Sequence, residues 1–218
     1  MERSFVIALD GPAASGKGTL ARQIAEHYAF AYLDTGTLYR GVARLMLDRN
    51  LDPADASAAE AMAKAYDPSM IEGADIRTRE VGATASIVAG IGGVREALLQ
   101  FQRRFAENPP GGAPGAVLDG RDIGTVICPD APVKFFVTAS AEERAHRRWL
   151  ELSSDKPDLT ESMVYADLLE RDARDAARAD APMTRSPDAE LLDTTHLSID
   201  AAFAAARRVI DGAYRRCG

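Results

Sequence analysis

The sequence predicts an α/β fold in three layers, with helices on both faces of a mostly parallel, five-stranded sheet. Three short runs rich in Val, Ile, Leu and Phe are almost continuously apolar, as strands buried on both faces of a parallel sheet usually are. Segments with the helical spacing of apolar residues lie between these runs. This alternation is typical of doubly wound domains.

Five segments are the candidate strands. Three are strong, over residues 5–9, 116–118 and 133–137, and two are weaker, over residues 30–33 and 191–192. Open α/β sheets bind their ligands beyond the carboxyl ends of the strands. The polar segments that follow these strands are therefore the first candidates for a functional site.

Apolar residues at helical spacing predict the helices. Leu20, Ile24 and Tyr28 share one face, and similar faces fall within residues 38–46, 94–105 and 203–214. A dense run of Pro and Gly over residues 108–115 ends the third of these helices in a surface loop. Residues 50–90 are Ala-rich and acidic and contain no strong strand, so we predict an insertion into a single domain, 1–218.

The composition excludes several classes of protein. The chain has 218 residues, of which 46% are hydrophobic and 27% charged, as in folded globular proteins. The net charge of −7 argues against a long nucleic acid as partner, and no apolar run approaches the roughly 20 residues that span a bilayer. Because the chain begins without a secretory cleavage pattern, we expect a cytoplasmic protein without a membrane partner. Two cysteines and three scattered histidines predict no disulfide framework and no metal held by protein ligands alone.

A glycine-rich loop follows the first strand. It leads directly into the helix at Leu20 and comprises Gly11, Pro12, Ala13, Ala14, Ser15, Gly16, Lys17, Gly18 and Thr19. In such a loop the backbone N–H groups and the positive end of the next helix face phosphate oxygens, and the lysine neutralises phosphate charge. Because Gly18 occupies the place where Ser or Thr usually follows the lysine, Thr19 is the candidate hydroxyl ligand for magnesium. The context favours a phosphate-binding loop over an ordinary Gly-rich turn.

A phosphate loop alone is compatible with GTPases, ATPases and small-molecule kinases. The N-K-x-D pattern by which GTPases recognise their base is missing from the sequence, and the chain is short for a motor-type ATPase. A small kinase needs a second pocket for the phosphate of the acceptor, lined by arginines. In the segment after the second strand, Thr35 or Thr37 is expected to cap a helix that carries Arg40, although an ordinary capped helix with a surface arginine is the alternative.

The segment after the third strand offers three polar side chains. Asp119 is a candidate for binding magnesium through water, Arg121 for binding a substrate phosphate, and Asp122 for the polar edge of a base. A Gly-containing turn with a local Arg–Asp pair is the alternative explanation.

Arginines are concentrated in residues 144–148 of this acidic chain. Residues 140–143 have the pattern of a capping box that opens a helix, on which Arg144, Arg147 and Arg148 are predicted to share one side. Clustered guanidinium groups indicate a cleft that binds a small polyanion, and a solvated helix face is the alternative.

A second arginine-rich stretch covers residues 171–178. Arg171, Arg174, Asp175 and Arg178 have the spacing of one helical face. Three guanidinium groups around one carboxylate repel one another unless an anion or an acidic element lies opposite. This face therefore favours a binding role over a solvated surface.

Taken together, these segments resemble the bacterial cytidylate kinase family. The resemblance covers nearly the whole chain, through residues 11–19, 34–40, 76–81, 94–99, 120–125, 129–134, 142–148, 170–175 and 181–182. It implies a P-loop fold in which residues 50–90 form an inserted subdomain that binds the nucleoside monophosphate and residues 147–163 form a short lid. It further implies direct in-line transfer of phosphate from ATP with Mg²⁺ to CMP and dCMP. We expect a monomer whose partners are these small molecules.

The resemblance also implies a role for individual residues. Residues 11–19 would bind ATP, with Lys17 and the lid residues Arg147 and Arg148 acting in catalysis and with Thr19 and Asp119 serving the magnesium ion. Ser86, Arg95 and Asp122 look like the set that recognises cytosine. The remaining substrate-binding residues are a phosphate and nucleotide clamp, Thr35, Arg40, Arg121 and Arg178, and a sugar-binding pair, Arg171 and Asp175.

Two other functions remain open from the residues themselves. One is a P-loop kinase with a different acceptor, such as UMP, AMP or shikimate, against which the cytosine set argues. The other is a regulatory module that holds ATP without transferring phosphate, against which Lys17 and the arginines argue.

Overall fold

A computed structural model describes residues 4–71, 73–153 and 158–217. The described residues form five strands: β1 Phe5–Asp10, β2 Ala31–Asp34, β3 Gly115–Asp119, β4 Val133–Thr138 and β5 Glu190–Asp193. They also form eight α-helices: α1 Lys17–Tyr28, α2 Thr35–Asp48, α3 Ala56–Ala65, α4 Arg79–Val88, α5 Gly92–Glu107, α6 Ala141–Ser153, α7 Glu161–Ala176 and α8 Ile199–Cys217. Short 3₁₀ turns cover Pro68–Ile71 and Pro110–Gly112, and a π turn covers Ile123–Ile127.

The five strands form one fully parallel sheet in the order β2-β3-β1-β4-β5. The two edge strands, β2 and β5, correspond to the two weaker sequence predictions. β1 lies at the centre, where Leu9 pairs with Asp119 of β3 and Asp10 pairs with Phe136 of β4. This register brings the carboxyl end of β1 and the segment after β3 together, at the edge where α/β sheets bind ligands.

Helices cover both faces of the sheet, as predicted. Ile7 and Leu9 of β1 are fully buried against α1 and α8, where Ile24 and Ile210 belong to the same apolar cluster. The intervening Ala8 faces the opposite side and packs in a second cluster with residues of α5 and β3. Because side chains alternate along a strand, a strand that is apolar at every position must have both faces covered.

Residues 50–90 contribute no strand and contain α3 and α4. These helices pack with α2 and α5 around a third apolar cluster that includes Val42, Met46, Ala59, Val81 and Val88. Side chains cap both helices: Asp55 accepts hydrogen bonds at the start of α3, and Thr78 at the start of α4. The segment therefore has its own apolar core beside the sheet.

Helices α6 and α7 form an antiparallel arm that contains most of residues 147–163, of which 154–157 lie outside the described residues. The Ser140 hydroxyl accepts a hydrogen bond from the Glu143 N–H at 3.2 Å, as the capping pattern predicts. The Trp149 indole N–H donates to the Leu159 carbonyl at 2.8 Å and joins the two helices. Across the described part of the chain, none of the helices has the length and apolar character needed to cross a bilayer.

Candidate active site

The glycine-rich loop connects β1 to α1 and brings the amino-terminal end of α1 to the carboxyl edge of the sheet. Gly11 adopts a φ of +141°, and a Cβ at this position would lie 2.0 Å from the Val137 carbonyl oxygen. Only glycine fits so close to β4 in this conformation. Gly16 has a φ of +81° immediately before α1 begins at Lys17. The loop therefore turns directly into the positive end of a helix dipole, which favours phosphate binding.

Lys17 and Asp119 form a buried ion pair, with Nζ 3.1 Å from a carboxylate oxygen. Burial lowers the pKa of Lys17 and raises the pKa of Asp119, and the attraction between the two groups opposes both shifts. A Cβ on Gly18 would lie 3.1 Å from Asp119 Oδ2. Glycine after the lysine thus leaves room for this carboxylate, and the hydroxyl-bearing Thr19 follows at the wall of the site.

A single cavity of about 260 Å³ opens between the phosphate loop, α2, α4, α7 and the segment after β3. All of the predicted site residues line it except Gly11, Pro12 and Arg147. The predicted residues that line the cavity are Ala13, Ala14, Ser15, Gly16, Lys17, Gly18, Thr19, Thr35, Arg40, Ser86, Arg95, Asp119, Arg121, Asp122, Arg148, Arg171, Asp175 and Arg178. The structure therefore brings together residues separated by more than 150 positions in the chain. A neighbouring cavity of about 450 Å³ shares Arg40, Ser86, Arg148 and Arg171 with it.

One end of the cavity is formed by a buried pair, Arg95 and Asp122. The guanidinium donates a short hydrogen bond to the carboxylate and a second one to the Ala89 carbonyl at 3.4 Å. Burial raises the pKa of Asp122, although Arg95 opposes the shift. The Ser86 hydroxyl in the same wall is buried and has no hydrogen-bond partner among the described residues. A hydroxyl left without a partner in a cavity wall is suited to a polar ligand.

Asp175 is the centre of the arginine cluster. Its fully buried carboxylate accepts a hydrogen bond from Arg121 Nε at 3.0 Å and a shorter one from Arg178, and Arg171 Nε lies 3.9 Å away. Burial by itself raises the pKa of Asp175, but these guanidinium groups hold it below its usual value. Because α7 ends at Ala176, Arg178 lies beyond the helix rather than on its face as predicted.

The arginines around this centre carry more positive charge than the one carboxylate neutralises. Burial and the nearby Arg121 lower the pKa of Arg171 to about 9, and burial together with Arg148 lowers that of Arg40 to about 10. The Nε atoms of Arg171 and Arg178 have no hydrogen-bond partner within the described part of the chain. Buried guanidinium groups that repel one another in this way are stabilised by a bound polyanion.

The predicted caps of α2 are wrong. Thr35 is already the first residue of the helix, and its hydroxyl donates to the Asp119 carbonyl at 2.8 Å. The Thr37 hydroxyl donates to the Asp34 carbonyl at 2.6 Å, so neither threonine accepts a capping N–H. A hydroxyl can donate to a carbonyl as readily as it accepts from an amide, and the sequence does not distinguish these choices.

The three arginines of α6 fall on one side of the helix, as their spacing predicts, but their guanidinium groups reach different partners. Arg144 is buried, pairs with Asp172 at 2.7 Å and donates to the Ala13 carbonyl at 3.3 Å. Arg147 binds Glu143 at 2.9 Å and the Thr194 carbonyl at 2.8 Å, behind the phosphate loop. Of the three, only Arg148 lines the cavity. The Glu143–Arg147 pair has i, i+4 spacing, whereas Asp172, Ala13 and Thr194 lie on other elements, so helical spacing does not anticipate them.

Tyr39 is a cavity residue that sequence reasoning missed. Its ring centroid lies 5.8 Å from Arg95 Cζ, a distance compatible with a cation–π contact, and it also lines the cavity. Its helical spacing with the apolar residues of α2 makes it indistinguishable in sequence from an ordinary core residue. Only the contact with Arg95 assigns it to the site.

The donors present could hold a magnesium ion together with phosphates. Within residues 4–71, 73–153 and 158–217, His, Cys, Asp and Glu form no group of three that could bind a metal by itself. Asp119 and Thr19 nevertheless place a carboxylate and a hydroxyl beside the phosphate loop. Mg²⁺ prefers oxygen ligands and retains waters when one or two protein groups and substrate phosphates complete its shell.

Comparison with known proteins identifies relatives along nearly the full chain. The family profile "Cytidylate kinase" matches residues 7–211. A protein of Rhodospirillum rubrum named cytidylate kinase is 55% identical over 94% of this chain and 97% of its own length. One of Paramagnetospirillum magneticum with the same name is 54% identical over 95% of this chain and 98% of its own. An uncharacterised protein of Eubacterium ventriosum, known from a crystal structure, superposes with a TM-score of 0.56 at 15% identity over 95% and 98% of the two chains, a similarity of fold.

Proposed function

Since the chain belongs to the cytidylate kinase family, we propose that it transfers the γ-phosphoryl group of ATP to CMP and dCMP, forming CDP or dCDP and ADP. One observation carries the proposal: a single cavity joins Lys17 of the phosphate loop to the Arg95–Asp122 pair. Donor and acceptor can thereby bind within one cavity, as direct transfer requires.

ATP binds at the loop over residues 11–19 in this proposal. The positive end of α1 and the ammonium of Lys17 stabilise the charge of the β- and γ-phosphates. Mg²⁺, held by Thr19 and through water by Asp119, would supply further neutralisation of phosphate charge. The Lys17–Asp119 ion pair holds the ammonium at the phosphate loop before a nucleotide binds.

The phosphate of the acceptor binds the arginine cluster. Arg40, Arg121 and Arg178 surround its oxygens, and the Thr35 hydroxyl lies at the same wall of the cavity. Arg171 and Asp175 bind the sugar side of the nucleotide. Because binding of a dianion relieves repulsion among these guanidinium groups, the site has its greatest affinity for a charged phosphate ester.

The base binds between Ser86, Arg95 and Asp122. A carboxylate accepts a hydrogen bond from the exocyclic amino group of cytosine, whereas uracil presents a carbonyl oxygen in the same place. The guanidinium of Arg95 donates to the acceptor atoms of the pyrimidine, and Ser86 gains the partner that its hydroxyl lacks among the described side chains. Uracil places a carbonyl oxygen against the buried carboxylate, which then has Arg95 as a donor but lacks the amino group, and this is the costly case for a polar site.

The transfer itself needs little covalent assistance from the protein. The acceptor phosphate is an anion near neutral pH, so its oxygen attacks without a strong general base. Lys17, Arg147 and Arg148 neutralise the negative charge of the transferred phosphoryl group. To reach this group, Arg147 must break its hydrogen bonds to Glu143 and Thr194. Movement of residues 50–90 and of the lid over 147–163 excludes water that would otherwise hydrolyse ATP.

The proposal is tested by measuring ADP release with ATP and Mg²⁺ and one acceptor at a time: CMP, dCMP, UMP or AMP. We expect turnover with CMP and dCMP, and a loss of at least about a hundredfold in the Lys17→Ala variant. Equal rates with UMP would leave a kinase of another specificity. Binding of ATP without turnover on any acceptor would instead favour a regulatory module. We also predict that the protein is a monomer, which sedimentation analysis tests, and that it acts in the cytoplasm.

A further inference from the structure

Asp10, the last residue of β1, has a buried carboxylate that does not line the cavity. Its two oxygens accept one backbone N–H each, Oδ1 from Ile123 and Oδ2 from Gly124, both at 2.7 Å. Only 5% of the residue is exposed. Both partners lie more than 110 positions further along the chain, so the contact joins two distant segments of the site.

Asp10 binds the start of a segment whose first backbone N–H groups have no carbonyl partner within that segment. A π turn begins at Ile123 directly after Asp122, and the first N–H groups of any helical turn lack a carbonyl partner within it. An ionised carboxylate binds two such donors at once. The fit is close at Gly124, where a Cβ would lie 3.3 Å from Asp10 Oδ2 and 3.1 Å from Lys134 Cδ.

Residues 120–124, which Asp10 and Leu9 bind, include two residues that are proposed to bind the acceptor nucleotide. Gly120 N–H donates to the Leu9 carbonyl at 2.9 Å, so two consecutive residues of β1 fix the segment at both ends. Between these ends, Arg121 binds Asp175 and Asp122 binds Arg95. On its other side Asp10 is bonded to Gly11, where the phosphate loop begins.

We propose that Asp10 is a positioning residue that fixes Arg121 and Asp122 relative to the phosphate loop, and so sets the distance between acceptor and donor. The proposal rests on the proposed function, because it takes Arg121 and Asp122 as acceptor-binding residues. It extends that function to a residue outside the cavity, whose effect passes through the backbone of residues 120–124.

The geometry has an energetic cost that a merely structural contact would avoid. Burial raises the pKa of Asp10 to about 6, even though its two N–H partners act in the opposite direction. Lys17 attracts the carboxylate and Asp122 repels it. An amide or an alanine at position 10 would avoid burying a charge. Alanine, however, offers no acceptor, and an amide replaces one of the two carboxylate oxygens by an NH2 donor that faces an N–H group.

The test compares wild type, Asp10→Asn and the control Asp211→Asn, which removes a carboxylate that accepts a hydrogen bond from the Tyr28 hydroxyl, away from the residues that line the cavity. Calorimetry measures the affinity for CMP and for a non-hydrolysable ATP analogue separately. In Asp10→Asn we expect the affinity for CMP to fall, and the KM for CMP to rise, by about tenfold or more. The affinity for the ATP analogue should change by less than about threefold, and the preference for CMP over UMP should fall. The control should match wild type in all three.

Hydrogen exchange of the peptide over residues 120–127 gives a readout that needs no substrate. In the wild type, the Ile123 and Gly124 amides should be protected, and in Asp10→Asn they should exchange at least about tenfold faster while α1 remains protected. If Asp10→Asn fails to fold, Gly124→Ala provides the second variant, because its Cβ displaces the carboxylate without removing it. The same selective loss of CMP affinity is expected.

Two results would overturn the proposal: unprotected Ile123 and Gly124 amides in the wild type, or an equal loss of CMP and ATP binding in the variants. Failure of the wild type to phosphorylate CMP would instead overturn the proposed function. The exchange comparison separates the two cases, because it reports the position of residues 120–127 whatever the acceptor.

Discussion

Arg79 of α4 and Asp167 of α7 are joined by two hydrogen bonds, from Nε at 2.5 Å and from Nη2 at 2.7 Å. The pair connects the helices of residues 50–90 to the α6–α7 arm, and both residues line the neighbouring cavity of about 450 Å³. Arg148 reinforces the connection by donating to the Arg77 carbonyl at 3.2 Å. The two parts of the molecule that are proposed to close over the nucleotides are thus already in contact with each other.

The Arg79–Asp167 pair should contribute little to stability and more to closure. Both side chains are about 40% exposed, so the double-mutant cycle of Arg79→Ala and Asp167→Ala should give a coupling free energy of unfolding below about 1 kcal/mol. High salt should reduce it further. We also expect KM for CMP to rise a few-fold in each variant. A coupling of several kcal/mol, unaffected by salt, would contradict the exposed character of the pair.

The Asp122→Asn variant should lose discrimination between bases. The amide keeps the shape of the side chain but presents both a donor and an acceptor, so it can also bind the carbonyl of uracil. We expect the ratio of kcat/KM for CMP to that for UMP to fall by about tenfold to a hundredfold, since a hydrogen bond to a charged group contributes ~1.5–3 kcal/mol. The measurement is a competition between the two acceptors, with KM for ATP as the internal control. An unchanged ratio would remove Asp122 from base recognition.

Arg144 and Arg148 lie one helical turn apart on α6 and should respond differently to replacement by alanine. Arg144→Ala removes a buried side chain and leaves Asp172 without its partner, so we expect the free energy of unfolding to fall by about 3 kcal/mol. Arg148→Ala removes a side chain from the cavity wall and should reduce kcat by at least about tenfold, with stability almost unchanged. Chemical denaturation and steady-state kinetics on both variants check the contrast. A stable Arg144→Ala enzyme would contradict the structural role of that arginine.

The Asp10 carboxyl should make stability depend on pH in a defined direction. Its pKa is raised from 3.8 to about 6 by burial, so the folded state binds the proton more tightly than the unfolded state does. The stability from this group is therefore complete below about pH 4 and is lost as pH rises to about 6, up to ~3 kcal/mol. Subtracting the unfolding free energy of Asp10→Asn from that of the wild type at each pH cancels the contribution of most other titrating groups. We expect the difference, wild type minus variant, to decrease between pH 4 and 6; an increase would mean that the N–H bonds outweigh burial.

The sequence by itself determined the parallel α/β fold and the position of the phosphate loop. All five predicted strands occur, including the weak β2 and β5, and the predicted helical faces lie in α1, α2, α5 and α8. These features are carried by the spacing of apolar residues and by runs of glycine, which act over a few neighbouring positions. Many of the predicted site residues line one cavity because they directly follow β1, β2 or β3, whose carboxyl ends lie at one edge of the sheet.

Only the tertiary structure decided the partners that charged groups find on distant elements. Arg79 meets Asp167 across 88 positions, Asp10 meets Ile123 across 113, and Arg147 meets Thr194 across 47. The predicted threonine cap of α2 is wrong because both hydroxyls donate to carbonyl oxygens. The spacing placed the arginines of α6 on one side of the helix, but it did not indicate that Arg144 binds Asp172 and Arg147 binds Thr194. In these long-range contacts a guanidinium or a carboxylate takes the partner that the packed elements bring within about 3 Å, and no local pattern in the sequence encodes that choice.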